Sequence, residues 1–316
     1  MKPIYVDQAG SISGGAGRLR HELLLYLTKS GRSDVEVIGL HTRLTPQWLA
    51  KRELEARGAR RKIALNNASF MVPGGHKTVL LQNVIHFSTE AERRSIGYHA
   101  SRRIKAQIPI IQAGAKVADR IIVPTDAMGE RVVAVNPSLA PKIEVRMLPL
   151  SAPSWSGSQP QDDPIILLPQ VPQPYKPLDW HVAHLAEALE RGRLQARIVC
   201  TCDPAELPRS NAHPMVECIG TLAHGELESW YQRAQAIYFP TTFESFGYPI
   251  AQARAGGRWG IAQDTKQNQQ IAAQSLAGYD ATDLDSLIAA ANQALQGTPA
   301  PQPEPFSPAE FFSGII

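Results

Sequence analysis

Tyr238-Phe239-Pro240-Thr241-Thr242-Phe243-Glu244-Ser245-Phe246-Gly247-Tyr248-Pro249-Ile250-Ala251-Gln252-Ala253-Arg254-Ala255-Gly256 is the stretch from which the rest of the sequence is best read. An apolar run ends at Pro240, which predicts the end of a strand. A loop then presents a carboxylate at Glu244. Gly247 precedes a helix opened by Pro249, a residue whose missing N–H costs nothing in a first helical turn. The free N–H groups of Phe246, Gly247 and Tyr248 form a site for anions or sugar oxygens at that helix entrance. A carboxylate beside such donors is suited to accepting hydrogen bonds from vicinal hydroxyls.

Working outward, short apolar runs alternate with helical patterns along the whole chain. In the first half the strand candidates are residues 4–7, 35–40, 78–82, 120–124 and 143–148, with helical patterns at 18–28, 47–57, 102–117 and 126–135. The first helix carries Leu19, Leu23 and Leu27 on one stripe. In the second half strands are expected at 165–168, 196–202, 215–219, 236–239 and 260–262. Helices are expected at 178–191, 225–233, 249–255 and 284–295. Strand and helix in this alternation imply parallel sheets with right-handed crossovers. The fold class is therefore α/β, with two doubly wound Rossmann-like domains facing a cleft. Residues 1–150 form the first domain, 151–164 a proline-rich linker and 165–300 the second domain. Residues 301–316 form a tail ending in a short terminal element.

With 316 residues, 43% hydrophobic and 19% charged, the chain is a soluble globular protein of two domains. The first residues lack the long apolar region of a signal peptide and no run is long enough to span a bilayer, so a cytoplasmic location, with peripheral attachment at a membrane surface as an option, is expected. Cys200, Cys202 and Cys218 read as reduced core thiols. The charge is divided unevenly. Residues 1–152 carry 23 Lys and Arg against 12 Asp and Glu, while the remainder carries 9 against 17. The basic half is expected to meet something anionic. Asp283 and Asp285 form an Asp-x-Asp, but they precede an apolar helix and read as capping residues. No metal and no cofactor are expected.

The 238–256 stretch resembles the donor-binding signature of the GT-B glycosyltransferases, most closely their retaining family 4. Pro240, Glu244, Phe246, Gly247, Pro249, Ala253, Ala255 and Gly256 match the signature, and Gln252 stands where the family has a second, ribose-holding glutamate. Residues 165–176 resemble the family's first C-terminal strand and loop. Lys176 there fits a diphosphate-neutralising lysine, and Gln170 or Val171 takes the place of an arginine. Gly220 and Thr221 resemble the segment near the nucleotide base. Gly10-Ser11-Ile12-Ser13-Gly14-Gly15-Ala16-Gly17 looks like the glycine loop facing the donor phosphates or the acceptor; it fails the dinucleotide fingerprint, having Arg20 where a third glycine is required. Asn83-Val84-Ile85-His86 lies where the family often has a functional histidine. The strand ending at Thr125 resembles one whose final hydroxyl faces the cleft.

The resemblance implies a nucleoside diphosphate sugar as donor and transfer with retention. Glu244, Lys176 and His86 are then the catalytic group. Gly14, Gly15, Gln170, Gly220, Thr221, Ser245, Phe246, Gly247, Tyr248 and Gln252 bind the donor. On the acceptor side Asn83, Arg93, Arg94, Arg102 and Arg103 are the candidates, with a further basic cluster at Arg57, Arg60, Arg61 and Lys62. A phosphate-bearing lipid or glycan at a membrane surface, or a modified nucleic acid, is the expected anionic acceptor. The alternatives are a non-catalytic sugar-nucleotide-binding protein and an epimerase or hydrolase of the same architecture. No feature of the sequence sets the oligomeric state.

Overall fold

The computed structural model describes residues 3–11, 14–160, 163–170, 177–241 and 243–316. The first half runs β1 (Ile4–Asp7), α1 (Gly14–Ser30), β2 (Val35–Ile38), α2 (Pro46–Glu55), β3 (Arg61–Ala64), β4 (His76–Leu80), α3 (Glu90–Ser95), α4 (Arg102–Val117), β5 (Arg120–Val123), α5 (Asp126–Val135) and β6 (Ile143–Val145). The second half runs β7 (Ile165–Leu168), α6 (Leu178–Arg191), β8 (Arg197–Cys200), β9 (Val216–Cys218), α7 (His224–Arg233), β10 (Ala236–Phe239), α8 (Tyr248–Gly256), β11 (Trp259–Gln263), α9 (Lys266–Ala272), β12 (Leu276–Tyr279), α10 (Leu284–Leu295) and α11 (Pro308–Ile315).

These strands make two six-stranded sheets, ordered β2-β1-β3-β4-β5-β6 and β12-β11-β10-β7-β8-β9. The strand pairs are parallel, for example Ile4 beside Val35 and beside Arg61, and Ala236 beside Ile166 and beside Trp259. Each sheet is a Rossmann-like layer. Chain direction across each sheet reverses at one place, between β1 and β3 in the first and between β7 and β10 in the second. In open parallel sheets ligands bind beyond the C-terminal strand ends at such a reversal.

The strands read as apolar because both faces are covered: Ile165, Ile166, Leu167 and Leu168 are all fully buried. Of the Leu stripe on α1, Leu19 and Leu23 are fully buried and Leu27 is half-buried. One core crosses between the halves, joining Ile4, Val6, Leu19 and Leu80 to Phe239, Phe246, Ile250 and Ala251.

Strand β3 was hidden in the sequence. Its first two residues, Arg61 and Lys62, read as part of a basic surface cluster, but they pair with β1 and β4 inside the sheet. Lys62 is 1% exposed and runs its stem through the core to reach the Val72 carbonyl at 3.5 Å. Arg61 donates to the Ile316 carbonyl at 2.9 Å. Helix α1 also begins earlier than expected, so Gly14–Gly17 are its first turn rather than a loop.

Residues 151–160 lie against the second half. The Trp155 ring stacks on Tyr231 with centroids 5.9 Å apart, and a Cβ on Gly256 would sit 1.9 Å from that indole. The chain then returns to its beginning. Phe312 of α11 meets Tyr26 of α1 at 5.2 Å, and Arg120 donates to the Gly314 carbonyl at 2.6 Å.

Candidate active site

Both reversal points open onto one cleft of about 1310 Å³. From the first half come Ala9, Gly10 and Ser11 after β1 and Asn66 and Asn67 after β3. From the second come Pro169 and Gln170 after β7 and residues 244–249 after β10.

The Glu244 loop is held from both sides. Phe243 is buried in the core of the first half, with the Arg131 guanidinium 5.4 Å over its ring. Thr125 donates its hydroxyl to the Ser245 carbonyl at 3.0 Å, and the Ser245 hydroxyl donates to the Gln82 carbonyl at 2.5 Å. The Thr125 hydroxyl therefore faces the loop of the other half and not the open cleft. Glu244 is half-buried on the cleft wall. Gly247 turns the chain into α8 with φ +104°, a conformation L side chains rarely adopt, and a Cβ there would lie 3.0 Å from the Phe239 ring. Pro249 has no N–H to satisfy, the Ile250 and Ala251 N–H groups both donate to the Gly247 carbonyl at 3.2 Å, and the helix entrance borders the cleft through residues 244–249. Gln252, one turn into α8, is 9% exposed and lines the same wall.

Gly15 explains why a glycine stands in α1. Its position faces the Tyr248 ring, which a Cβ would approach to 3.2 Å. Tyr248 in turn donates to the Pro149 carbonyl at 3.4 Å, and burial pushes its phenol far above the ordinary range. Beside them Arg18 pairs with Glu22 at 2.9 Å and approaches Glu228 of α7 at 3.8 Å, so this clasp also spans the halves.

Asn83 accepts from the Ile85 N–H and caps a short 3-10 turn, Val84–Phe87, that carries His86. The turn is pinned by Asn67, whose side-chain oxygen accepts from the N–H groups of Gln82 and Asn83 at 2.7 and 3.0 Å. His86 is 4% exposed yet lines the cleft, and neither ring nitrogen has a hydrogen-bond partner among the described residues. Burial lowers its pKa to about 4, with the nearby Gln107 amide opposing part of that shift. The imidazole is neutral at physiological pH.

Of the residues expected at the site, Gly14, Gly15, Asn83, His86, Arg103, Gln170, Thr221, Glu244, Ser245, Phe246, Gly247, Tyr248 and Gln252 line the cleft. Gly220 adjoins Thr221, with φ +73°. Gln170 is engaged by Thr241, its amide donating at 2.9 Å. Lys176 and Val171 lie outside the described residues. Three acceptor-side arginines are set apart from the cleft lining. Arg93 folds back on the Ser88 carbonyl, Arg94 pairs with Glu90 at 2.6 Å along α3, and Arg102 lies exposed on α4. Residues that the sequence did not single out line the cleft instead: Arg18, Arg20, His21, Arg43, Asn66, Asn67 and Gln107. Asp283 caps α10, accepting from the Asp285 N–H at 2.9 Å.

No family model matches the sequence, and no curated protein matches it. Solved structures do match. Sucrose-phosphate synthase from Thermosynechococcus elongatus superposes with a TM-score of 0.67 at 15% identity, covering 100% of this chain and 95% of that one. WaaG, a glycosyltransferase involved in lipopolysaccharide biosynthesis, gives 0.65 at 12% identity over 99% of this chain and 95% of its own. TarM of S. aureus, solved with UDP and alpha-GlcNAc-glycerol, gives 0.56 at 14% identity over 81% of this chain and 50% of its own. The fold is GT-B. In this GT-B chain the two Rossmann-like halves meet across the cleft that holds Glu244, and the α8 entrance occupies the second half's strand reversal.

Proposed function

We propose that this chain is a glycosyltransferase. It takes a sugar from a nucleoside diphosphate sugar and passes it, with retention of anomeric configuration, to an anionic acceptor. The observation that carries this reading is Glu244. It stands half-buried on the cleft wall, beside the open N-terminus of α8 and across from the glycine-rich first turn of α1. A carboxylate next to unpaired amide donors accepts from sugar hydroxyls while the amides and the helix dipole hold oxyanions.

In that reading Glu244 grips the donor sugar, and the α8 entrance receives the diphosphate. Gln252 takes the ribose, its amide both donating and accepting, and Thr221 lies toward the base. Lys176, by resemblance, adds a point charge to the diphosphate. The bond from the anomeric carbon to the phosphate oxygen breaks as the acceptor oxygen bonds to that carbon on the same face. The acceptor's proton leaves with the diphosphate. No carboxylate has to act as a nucleophile; stabilising the leaving charge with fixed donors supplies the catalysis. His86, neutral and with unpartnered nitrogens on the cleft, orients the sugar or the attacking hydroxyl. The acceptor lies on the first half, with Arg103 and Asn83 at its edge.

The test is a panel of UDP-, GDP- and dTDP-sugars read by thermal shift and by release of the nucleoside diphosphate. Stabilisation by one nucleotide class, lost on Glu244→Ala, is the expected result. Failure of every nucleotide sugar to bind would sink the reading, and binding without turnover under any acceptor would make the chain a sensor of nucleotide sugars instead.

A further inference from the structure

The cleft carries a charge imbalance that the donor does not explain. Among its described lining residues Glu244 is the one carboxylate, against Arg18, Arg20, Arg43 and Arg103. Arg18 is neutralised by Glu22 and Glu228. The other three have no acidic partner among the described residues.

These three share one piece of backbone. Arg20 of α1 donates to the Leu40 carbonyl at 2.8 Å, and Arg103 of α4 donates to the Leu44 carbonyl at 3.1 Å. Arg43 stands between those two carbonyls in the same loop, and its side chain makes no hydrogen bond or ion pair among the described residues. The loop is fixed against the glycine-rich segment: the Gly10 N–H donates to the Thr42 carbonyl at 2.8 Å. Two guanidinium groups are thus anchored by neutral acceptors that leave their charge uncompensated, with a third beside them.

Local stability argues against this arrangement. Arg102 and Arg103 open α4, where the helix dipole disfavours cations, and the first turn holds no acidic residue. Like charges gathered at one loop also repel. A bound anion would repay both costs, and planar guanidinium forks match the oxygens of a phosphate.

We infer that Arg20, Arg43 and Arg103 form a phosphate subsite for the acceptor. This rests on the glycosyltransferase reading and narrows its acceptor to a molecule bearing a phosphate group near the hydroxyl that receives the sugar. The donor's own diphosphate is assigned to the α8 entrance on the opposite half, so the two anions occupy different walls. The phosphate belongs either to a soluble phosphorylated sugar or to a lipid headgroup.

Arg43 gives the decisive variant because nothing in the fold leans on its side chain. Binding of a hexose monophosphate and of the matching free hexose is measured by calorimetry, and vesicles with and without phosphatidic acid are compared by co-sedimentation. The hexose monophosphate or the phosphatidic acid vesicles should bind the wild type in preference to their phosphate-free counterparts, and which of them does so identifies the source. Arg43→Glu should weaken that binding by about tenfold or more, the scale of one lost charge-assisted contact, while Arg43→Lys loses less. Affinity for the nucleotide sugar, read in the same preparations, should be unchanged. The inference is overturned if Arg43→Glu leaves phosphate binding intact, if neither phosphate probe binds, or if donor affinity falls in parallel, which would assign the arginines to the donor diphosphate. Arg43-dependent binding of duplex DNA without binding of either phosphate probe would overturn it in favour of a nucleic-acid surface. Should phosphate bind at Arg43 while no nucleotide sugar binds anywhere, the anion site stands and the transferase reading fails alone.

Discussion

Thr125 and Ser245 join the two halves of this chain at the loop that presents Glu244: the Thr125 hydroxyl donates to the Ser245 carbonyl at 3.0 Å. The same oxygen accepts from the Met128 N–H at 3.2 Å and caps α5. One hydroxyl therefore starts a helix in the first half and holds the signature loop of the second. Thr125→Val removes both contacts and is expected to cost about 1–2 kcal/mol of stability. It should also weaken nucleotide-sugar binding, since the loop loses one of its ties. Thr125→Ser keeps both bonds and should restore both quantities; urea denaturation and donor titration of the pair check this.

Gly247 cannot be replaced without strain. With φ +104° and the Phe239 ring 3.0 Å from the position of a Cβ, Gly247→Ala meets both a backbone and a steric penalty. The expected loss is about 1–3 kcal/mol in chemical denaturation. Adding Phe239→Leu relieves the contact alone, so recovery in the double variant should be partial.

Glu244 is half-buried and borders open space, so removing its carboxylate should leave the fold in place. Glu244→Ala is expected to lower transfer by about 10²-fold or more. Its melting temperature should stay within about 2 °C of the wild type, the scale for a surface substitution. Glu244→Gln, which keeps the shape and loses the charge, should fall between them. Retained transfer in Glu244→Ala would refute the role assigned to it.

Burial holds both His86 and His181 near a pKa of about 4, against an ordinary value of 6.5, with the charge of His184 a secondary cause at His181. Between those values the unfolded chain takes up protons that the folded chain refuses. Their contribution is thus complete above about pH 6.5 and is lost as the pH falls, by about 2 kcal/mol per histidine at pH 5. Urea midpoints measured at about pH 7.5 and about pH 5, above the transition and within it, should show this drop, and His86→Gln should lessen it. Because the His86 imidazole is already neutral, the pH profile of transfer should show no limb near 6.5 from this residue.

The parts of the fold that were legible are those where local chemistry and tertiary position agree. Pro240, Gly247 and Pro249 punctuate the chain at a strand end and a helix start, and Glu244 stands out because a strand end followed by a helix start does not by itself call for an acid. β3 was not legible, because Arg61 and Lys62 present charge where a strand presents apolar side chains, and because the β3–β4 crossover contains no helix to set a rhythm. Lys62 is buried through its methylene stem, which composition cannot reveal. The basic wall of the cleft escaped for a similar reason. Arg20 looks like the solvated face of an amphipathic helix and Arg43 like a loop cation, and only the strand reversal at β1 and β3 brings them to one place. In contrast, Arg93 and Arg94 drew attention by clustering in sequence, yet their partners are a local carbonyl and a local carboxylate.

The return of the last helix to the first has a mechanical consequence. Polypeptide passes between the halves twice, and the two passages are zipped together where the Leu150 N–H donates to the Phe306 carbonyl at 2.8 Å. Two passages fastened to each other, together with the core that the halves share, restrain twisting of one half against the other more than a lone tether would. A protease nick within 151–160 would therefore leave the two halves fastened by the second passage and by the core they share.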